Sequence, residues 1–183
     1  MKSVLISIQP KWVEKIASGE KTIEVRKNKP KLETPFKVYI YCTKDKYDVS
    51  TVGADKPIIW HGKVIGEFVC DRIEVYTYSC WGYCDSVSEK SLAQTCLTAN
   101  AFCDYGKQKT LYGWHISNLV IYDKPKDLSD FWSADKCPYA SKDGCIYKYH
   151  CFRAGQTKRC GNTLKRPPQS WCYTEEQEND RVD

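Results

Sequence analysis

The feature that most constrains this chain is a series of short strand-like runs, mostly joined by loops too brief for parallel crossovers. Val4 to Ile8, Phe36 to Cys42 (FKVYIYC), Lys63 to Val69 (KVIGEFV) and Tyr112 to Ser117 with Leu119 to Tyr122 are rich in β-branched and aromatic residues. Such residues suit a pleated, half-buried surface. A parallel crossover needs a dozen residues or more. The pattern therefore predicts a mixed α+β fold around a small twisted sheet or barrel.

Local signals fill in the rest. Pro10 can open a helix, Trp12, Val13, Ile16 and Ala17 recur at helical spacing, and Gly19 closes it. Lys21 to Arg26 (KTIEVR) alternates as a strand, with Thr22, Glu24 and Arg26 on one face. A basic, Pro-containing loop follows at 27–34, and a charged, poorly patterned stretch at 43–56. Ile73 to Tyr78 continues the sheet. Ser86 or Ser88 can cap a helix over 88–95, and 97–104 reads as a second short one. Lys124-Pro125 is expected to break the later strand, Leu128 to Phe131 to form a helical turn, and Gln169 to Thr174 to close the sheet. The domain is read as 1–176, with a Cys-rich basic insertion at 137–165 and an acidic tail at 177–183.

Charge is informative through its distribution. The net charge is +5. Residues 1–60 carry 12 basic and 7 acidic side chains, 61–136 carry 8 and 10, and 142–166 carry 7 basic side chains against Asp143 alone. Two basic zones flanking a near-neutral middle suit a polyanion if they fold together, and ordinary solvated surface if they do not. No run of 18 apolar residues is present, so no transmembrane helix and no membrane partner are expected. The start, MKSVLISIQPKW, lacks a secretory core and cleavage site, which reads as cytoplasmic.

Eleven cysteines in such a chain point to buried thiols or a metal site rather than a disulfide framework. Cys137, Cys145, Cys151 and Cys160, beside His150, place four thiols within 24 residues. They are candidate ligands of a structural zinc. The spacing matches no CxxC knuckle, so unligated thiols or disulfides remain alternatives. A patternless loop of this length calls for a staple. Cys80, Cys84, Cys96 and Cys103 form a second, weaker set, and Cys42, Cys70 and Cys172 fit core positions.

Gly19-x-Lys21-x-x-Glu24-x-Arg26 falls at the helix-to-strand junction. With Leu5-Ile6-Ser7-Ile8-x-Pro10, Gly62 to Phe68, Tyr112-Gly113-Trp114-His115-Ile116, Tyr122-Asp123-Lys124-Pro125 and Arg166 to Cys172, it resembles the ASCH family, a branch of the PUA-like folds. The set is similar to ASCH proteins common in Firmicutes and their phages, over roughly 1–132 and 165–176. The resemblance implies a small PUA-like mixed β-barrel with flanking helices, here with a Cys-rich C-terminal excursion. It further implies binding of RNA or a nucleotide derivative in a cleft lined by Lys21, Glu24 and Arg26.

Physically, a lysine beside a glutamate and an arginine can hold a phosphate or a base edge while staying nearly neutral, and arginine adds a planar fork. An ion-paired structural turn is the alternative. Ser7, Trp12, Thr22, Trp114 and Ser117 complete the candidate binding set; aromatic faces near cations are what single-stranded RNA uses. His115 alternates to the other face and reads as structural.

Some small ASCH proteins are amidohydrolases that deacetylate N4-acetylcytidine with a Lys, a Thr and a Glu. The resemblance places the Lys at Lys21, but Glu24 stands at the Thr position, and Glu89 is the one glutamate in 80–107. RNA binding, amidohydrolysis of an acylated nucleobase (with Lys21 and Glu24 catalytic) and a phage-encoded protein-interaction module are the functions left open. Protein partners are not specified.

Overall fold

The computed structural model describes residues 2–44, 60–78, 86–133 and 163–176, with the backbone of 140–141 and 144–145. In chain order the elements are β1 (Lys2–Ile8), α1 (Pro10–Ala17), β2 (Ile23–Arg26), β3 (Phe36–Cys42), β4 (Val64–Tyr76), α2 (Glu89–Thr95), α3 (Ala99–Gly106) and β5 (Leu111–Lys126). A 3-10 turn (Leu128–Asp130), the short ribbon β6 (Ala140–Ser141) and β7 (Gly144–Cys145), and β8 (Trp171–Glu175) follow.

Six strands form one sheet in the order β2-β5-β4-β3-β1-β8. The β1–β3 pair is parallel, with Ile6 opposite Ile40, and the other pairs are antiparallel. Alternation divides the apolar side chains between two faces. Val4, Ile6, Ile8, Val38, Ile40, Phe68 and Trp114 share one core with Val13 and Ile16 of α1. Leu5, Tyr39, Tyr41 and Val64 pack against Phe131 on the other face. Ile23 and Val25 are buried with Tyr76, Leu111 and Phe102 of α3.

The helices form where local chemistry asks for them. Pro10 opens α1, and Gly19 follows it at φ +77°, the left-handed conformation glycine adopts without strain. Ser88 and Thr98 cap α2 and α3 through their side-chain oxygens. The second of these helices starts two residues later than the expected 97.

Two expectations are corrected. The sheet is not a closed barrel. Its ends, β2 and β8, share no ladder. Pro167 and Pro168, just ahead of β8, have no N–H to donate. A side chain spans the seam instead: Arg26 Nη2 donates to Ser7 O at 2.6 Å and Nη1 to Ser170 Oγ at 3.4 Å. Second, Lys124-Pro125 does not end β5. Gly66 pairs with Ile121 and Val64 with Lys126. The extra residues of β5 bulge between those rungs, where the missing proline N–H breaks no ladder bond.

Cys137, His150, Cys151 and Cys160 lie outside the described residues, as do Cys80 and Cys84, and of Cys145 only the backbone in β7 is described. Most of the Cys-rich excursion therefore lies outside them too. Among the described residues no group of three or more His, Cys, Asp or Glu could hold a metal ion. No helix among the described residues is long and apolar enough to cross a membrane.

Candidate functional site

At the open seam lies a cleft of roughly 720 Å³. Five elements meet there. β1 supplies Ser7 and Ile8, α1 supplies Trp12, Lys21 and the strand β2 bring Glu24 and Arg26, α3 brings Ala101 and Tyr105, and Pro167 to Gln169 close the far side.

The floor is a buried ionic row. Lys21, Glu24 and Arg26 are 3%, 6% and 8% exposed. Glu24 Oε2 is 3.3 Å from Lys21 Nζ, and Oε1 is 3.0 Å from Arg26 Nη2. Lys21 Nζ also donates to the carbonyls of Ile23 (2.8 Å) and Thr95 (2.7 Å), tying the row to α2. Ser7 Oγ donates to Pro168 O at 2.7 Å. Glu24 and Arg26 share a face of β2 because strand alternation puts Ile23 and Val25 into the apolar cluster behind it.

Not every group is satisfied. Arg26 Nε is sealed from solvent and has no acceptor among the described residues, and the same holds for Trp114 Nε1 beneath the same face. An orphaned buried donor costs about 1–3 kcal/mol.

Aromatic rings and cations flank this floor. Lys11 Nζ stands 4.8 Å from the Trp12 ring centroid and Lys21 Nζ 5.2 Å. Lys27 Nζ is 4.8 Å from the Tyr105 ring. Burial is the largest influence on the Tyr105 phenol and raises its pKa, with Arg26 opposing and Glu24 adding to the rise.

Of the eight residues expected in the cleft, the fold gathers Ser7, Trp12, Lys21, Glu24 and Arg26. Thr22, Trp114 and Ser117 are placed elsewhere. Thr22 precedes β2, so strand alternation does not reach it, and its Oγ1 accepts from Gln94 Nε2 of α2 at 3.2 Å. Trp114 is fully buried, packed edge-on to Phe36 at 5.8 Å and beside Trp171 at 6.0 Å. Ser117 Oγ donates to Val69 O at 2.9 Å. Tyr105 and Gln169 line the cleft without having been singled out from the sequence. A hint for Gln169 lay in the Arg166 to Cys172 stretch; Tyr105 carried no local signal.

The ASCH domain family model matches residues 6–126, a span that takes in the end of β1 and then every helix and strand from α1 through β5. The chain belongs to the ASCH domain family. One solved structure supports the fold. A serine-to-alanine mutant of the ASCH protein from Zymomonas mobilis is 16% identical, with a TM-score of 0.56, over 93% of this chain and 87% of that one. The unmutated ASCH of the same organism is 19% identical, TM-score 0.47, over 69% and 73%. These come from a source other than the Firmicutes and phage proteins of the sequence resemblance. No curated protein matches the sequence significantly. The match to the ASCH family ends before Pro167 to Ser170, so the segment that closes the cleft is supplied by chain beyond it.

Proposed function

We propose that this ASCH domain binds single-stranded RNA, or a nucleotide derivative, by taking one nucleotide into the cleft at the seam. ASCH domains are PUA-like and generally bind RNA. The observation that carries the reading is the pairing of aromatic walls with lysines, Trp12 with Lys11 and Tyr105 with Lys27, above the Lys21–Glu24–Arg26 floor. Every base has a π-face that can stack on such a wall, and the lysines at the rim suit the phosphate. The volume falls within the range of about 300–1,000 Å³ that small-ligand sites occupy.

The amidohydrolase alternative gains nothing from this geometry. Lys21 already spends its donors on two carbonyls and Glu24, and Glu24 is no hydroxyl nucleophile. No observation favours a protein-interaction module. Structural zinc stays a proposal resting on the spacing of Cys137, Cys145, Cys151 and Cys160.

The test is fluorescence anisotropy of a labelled, mixed-sequence RNA hexamer at low salt, with nucleoside monophosphates as competitors. Binding that weakens in Trp12→Ala supports the reading. Absence of binding by any of these, or binding indifferent to Trp12→Ala, overturns it. Turnover of N4-acetylcytidine lost in Lys21→Ala would move the conclusion to the enzyme.

A further inference from the structure

A second depression, of roughly 730 Å³, adjoins the first. The two share Thr43 and Pro167 as lining residues. The walls of the second are set by the other face of the sheet, through Tyr41, Leu128 and Leu164. Lys44 and Lys165 complete it.

The ionic accounting there differs from the cleft floor. Asp127 is the acidic residue of the lining among the described residues, and it is already engaged by Lys63 Nζ at 2.5 Å. Lys44 and Lys165 are exposed and have no ionic partner among the described residues. Among the described residues the depression thus holds two cations without a counter-charge. Lys44 is also positioned by the backbone beneath it. Its stem crosses Gly62, where a Cβ would come within 2.8 Å of Lys44 Cε. Gly62 has φ +76° and closes the β3–β4 connection by donating its N–H to Cys42 O at 2.9 Å. A side chain at 62 would strain that turn and displace the lysine.

We infer that the second depression is a subsite for the neighbouring nucleotide of a single-stranded RNA, with Lys44 and Lys165 on its phosphodiester. The strand would run from the first cleft across the Thr43–Pro167 saddle. The inference rests on the RNA-binding reading of the first cleft and adds that the ligand is an oligonucleotide rather than a free nucleotide. An apolar wall with two cations that have no ionic partner among the described residues suits a base and its phosphate, and the shared saddle makes the two sites one path.

The experiment compares the labelled RNA hexamer with nucleoside monophosphates on the wild-type chain, on K44Q/K165Q, and on K90Q/K124Q, which removes equal charge at two other exposed lysines. The hexamer is expected to bind more tightly than the monophosphates. K44Q/K165Q should lose most of that advantage while holding monophosphates unchanged. Its slope of log affinity against log salt should fall by about 0.7, the value for one phosphate of a single strand. K90Q/K124Q should shift the slope less. Equal slopes in the two double variants, or no hexamer advantage in the wild type, overturn the subsite while leaving the first cleft standing. Failure of both probes to bind overturns the first-cleft reading and this inference with it. Gly62→Ala offers an independent check: it should weaken hexamer binding without altering monophosphate binding, and an unchanged hexamer affinity would count against the placement of Lys44.

Discussion

Two clusters, each built on one glutamate, sit back to back across β5. Glu24 pairs with Trp114 in the ladder and Ile23 with His115, so the cleft row lies on one face and a second carboxylate cluster on the other. In that second cluster Glu74 Oε1 is 2.8 Å from His115 Nε2, and Oε2 accepts from Tyr76 (2.8 Å) and from Ser91 of α2 (3.0 Å). Arg72 Nη2 lies 3.1 and 3.2 Å from the two ring nitrogens of His115, across the ring. Each cluster is one glutamate between two basic residues. They differ in what surrounds them. The Glu74 cluster fastens α2 to β4, and neither of the two depressions is lined by it. The Glu24 row is more deeply buried, retains an unsatisfied donor on Arg26, and opens onto a cavity. A fold needing only a fastener has one in Glu74. The less satisfied arrangement faces the space where a ligand fits, as expected of a site preorganised for binding at some cost in stability.

The strongest way to break the comparison is to neutralise each glutamate. Glu24→Gln leaves Lys21 and Arg26 buried together without their counter-charge. Removing one partner of a buried ionic group costs about 3–5 kcal/mol, read by urea denaturation. Glu74→Gln should cost about 1–3 kcal/mol, since its carboxylate is more accessible and keeps partial hydrogen bonding. Equal losses would mean that burial does not separate the two clusters.

Binding sharpens the same contrast. Trp12→Ala should weaken RNA binding by about 1–3 kcal/mol, the contribution of one stacked base, measured by anisotropy. Glu74→Gln should leave RNA affinity unchanged.

Acid titration offers a third handle. Burial pushes the Glu74 carboxyl up, but hydrogen bonds from Tyr76, Ser91 and His115, and the charge of His115, together outweigh it and hold the pKa below its ordinary 4.5. The unfolded chain therefore takes up that proton first as pH falls. The stability Glu74 contributes is complete above the ordinary carboxylate range and is lost as pH drops below 4.5 toward the folded value. Glu74→Gln should flatten this part of the stability–pH curve. An unchanged acid limb would show that the hydrogen bonds do not favour the charged carboxylate.

How much of this was legible in the sequence depends on the distance over which each signal acts. α1 could be read because Pro10 and Gly19 mark its ends locally, and α2 because Ser88 does. Lys21, Glu24 and Arg26 could be read because six consecutive residues of chain carry them. Pro125 misled because a bulge is set by the partner strand, and nothing near Pro125 announces that β4 pairs Val64 with Lys126. Thr22 misled because the strand was started at Lys21, two residues ahead of the true start of β2 at Ile23. Tyr105 and Gln169 reach the cleft through tertiary packing; Ser7 meets Pro168 across 161 positions of sequence. The closed barrel failed for a similar reason, since two prolines and a bridging arginine decide the seam together.

The smallest expected effect uses two cysteines as reporters. Cys42 Sγ donates to the carbonyl of Thr43, one of the residues common to both depressions, and Cys70 Sγ to that of Arg72 in the other cluster. Burial pushes both thiols up to about 12. Since the thiolate is the reactive form, both should be modified far more slowly by iodoacetamide near pH 8 than an exposed thiol with a pKa of about 8.5. Residual reaction then requires local opening, and its rate reports the stability of the surrounding segment. Site-resolved mass spectrometry of the alkylated chain should find Cys42 accelerated more than Cys70 in Glu24→Gln, and Cys70 more than Cys42 in Glu74→Gln. If both variants accelerate both thiols equally, opening is global, and the two clusters act on one cooperative unit rather than on separate faces of β5.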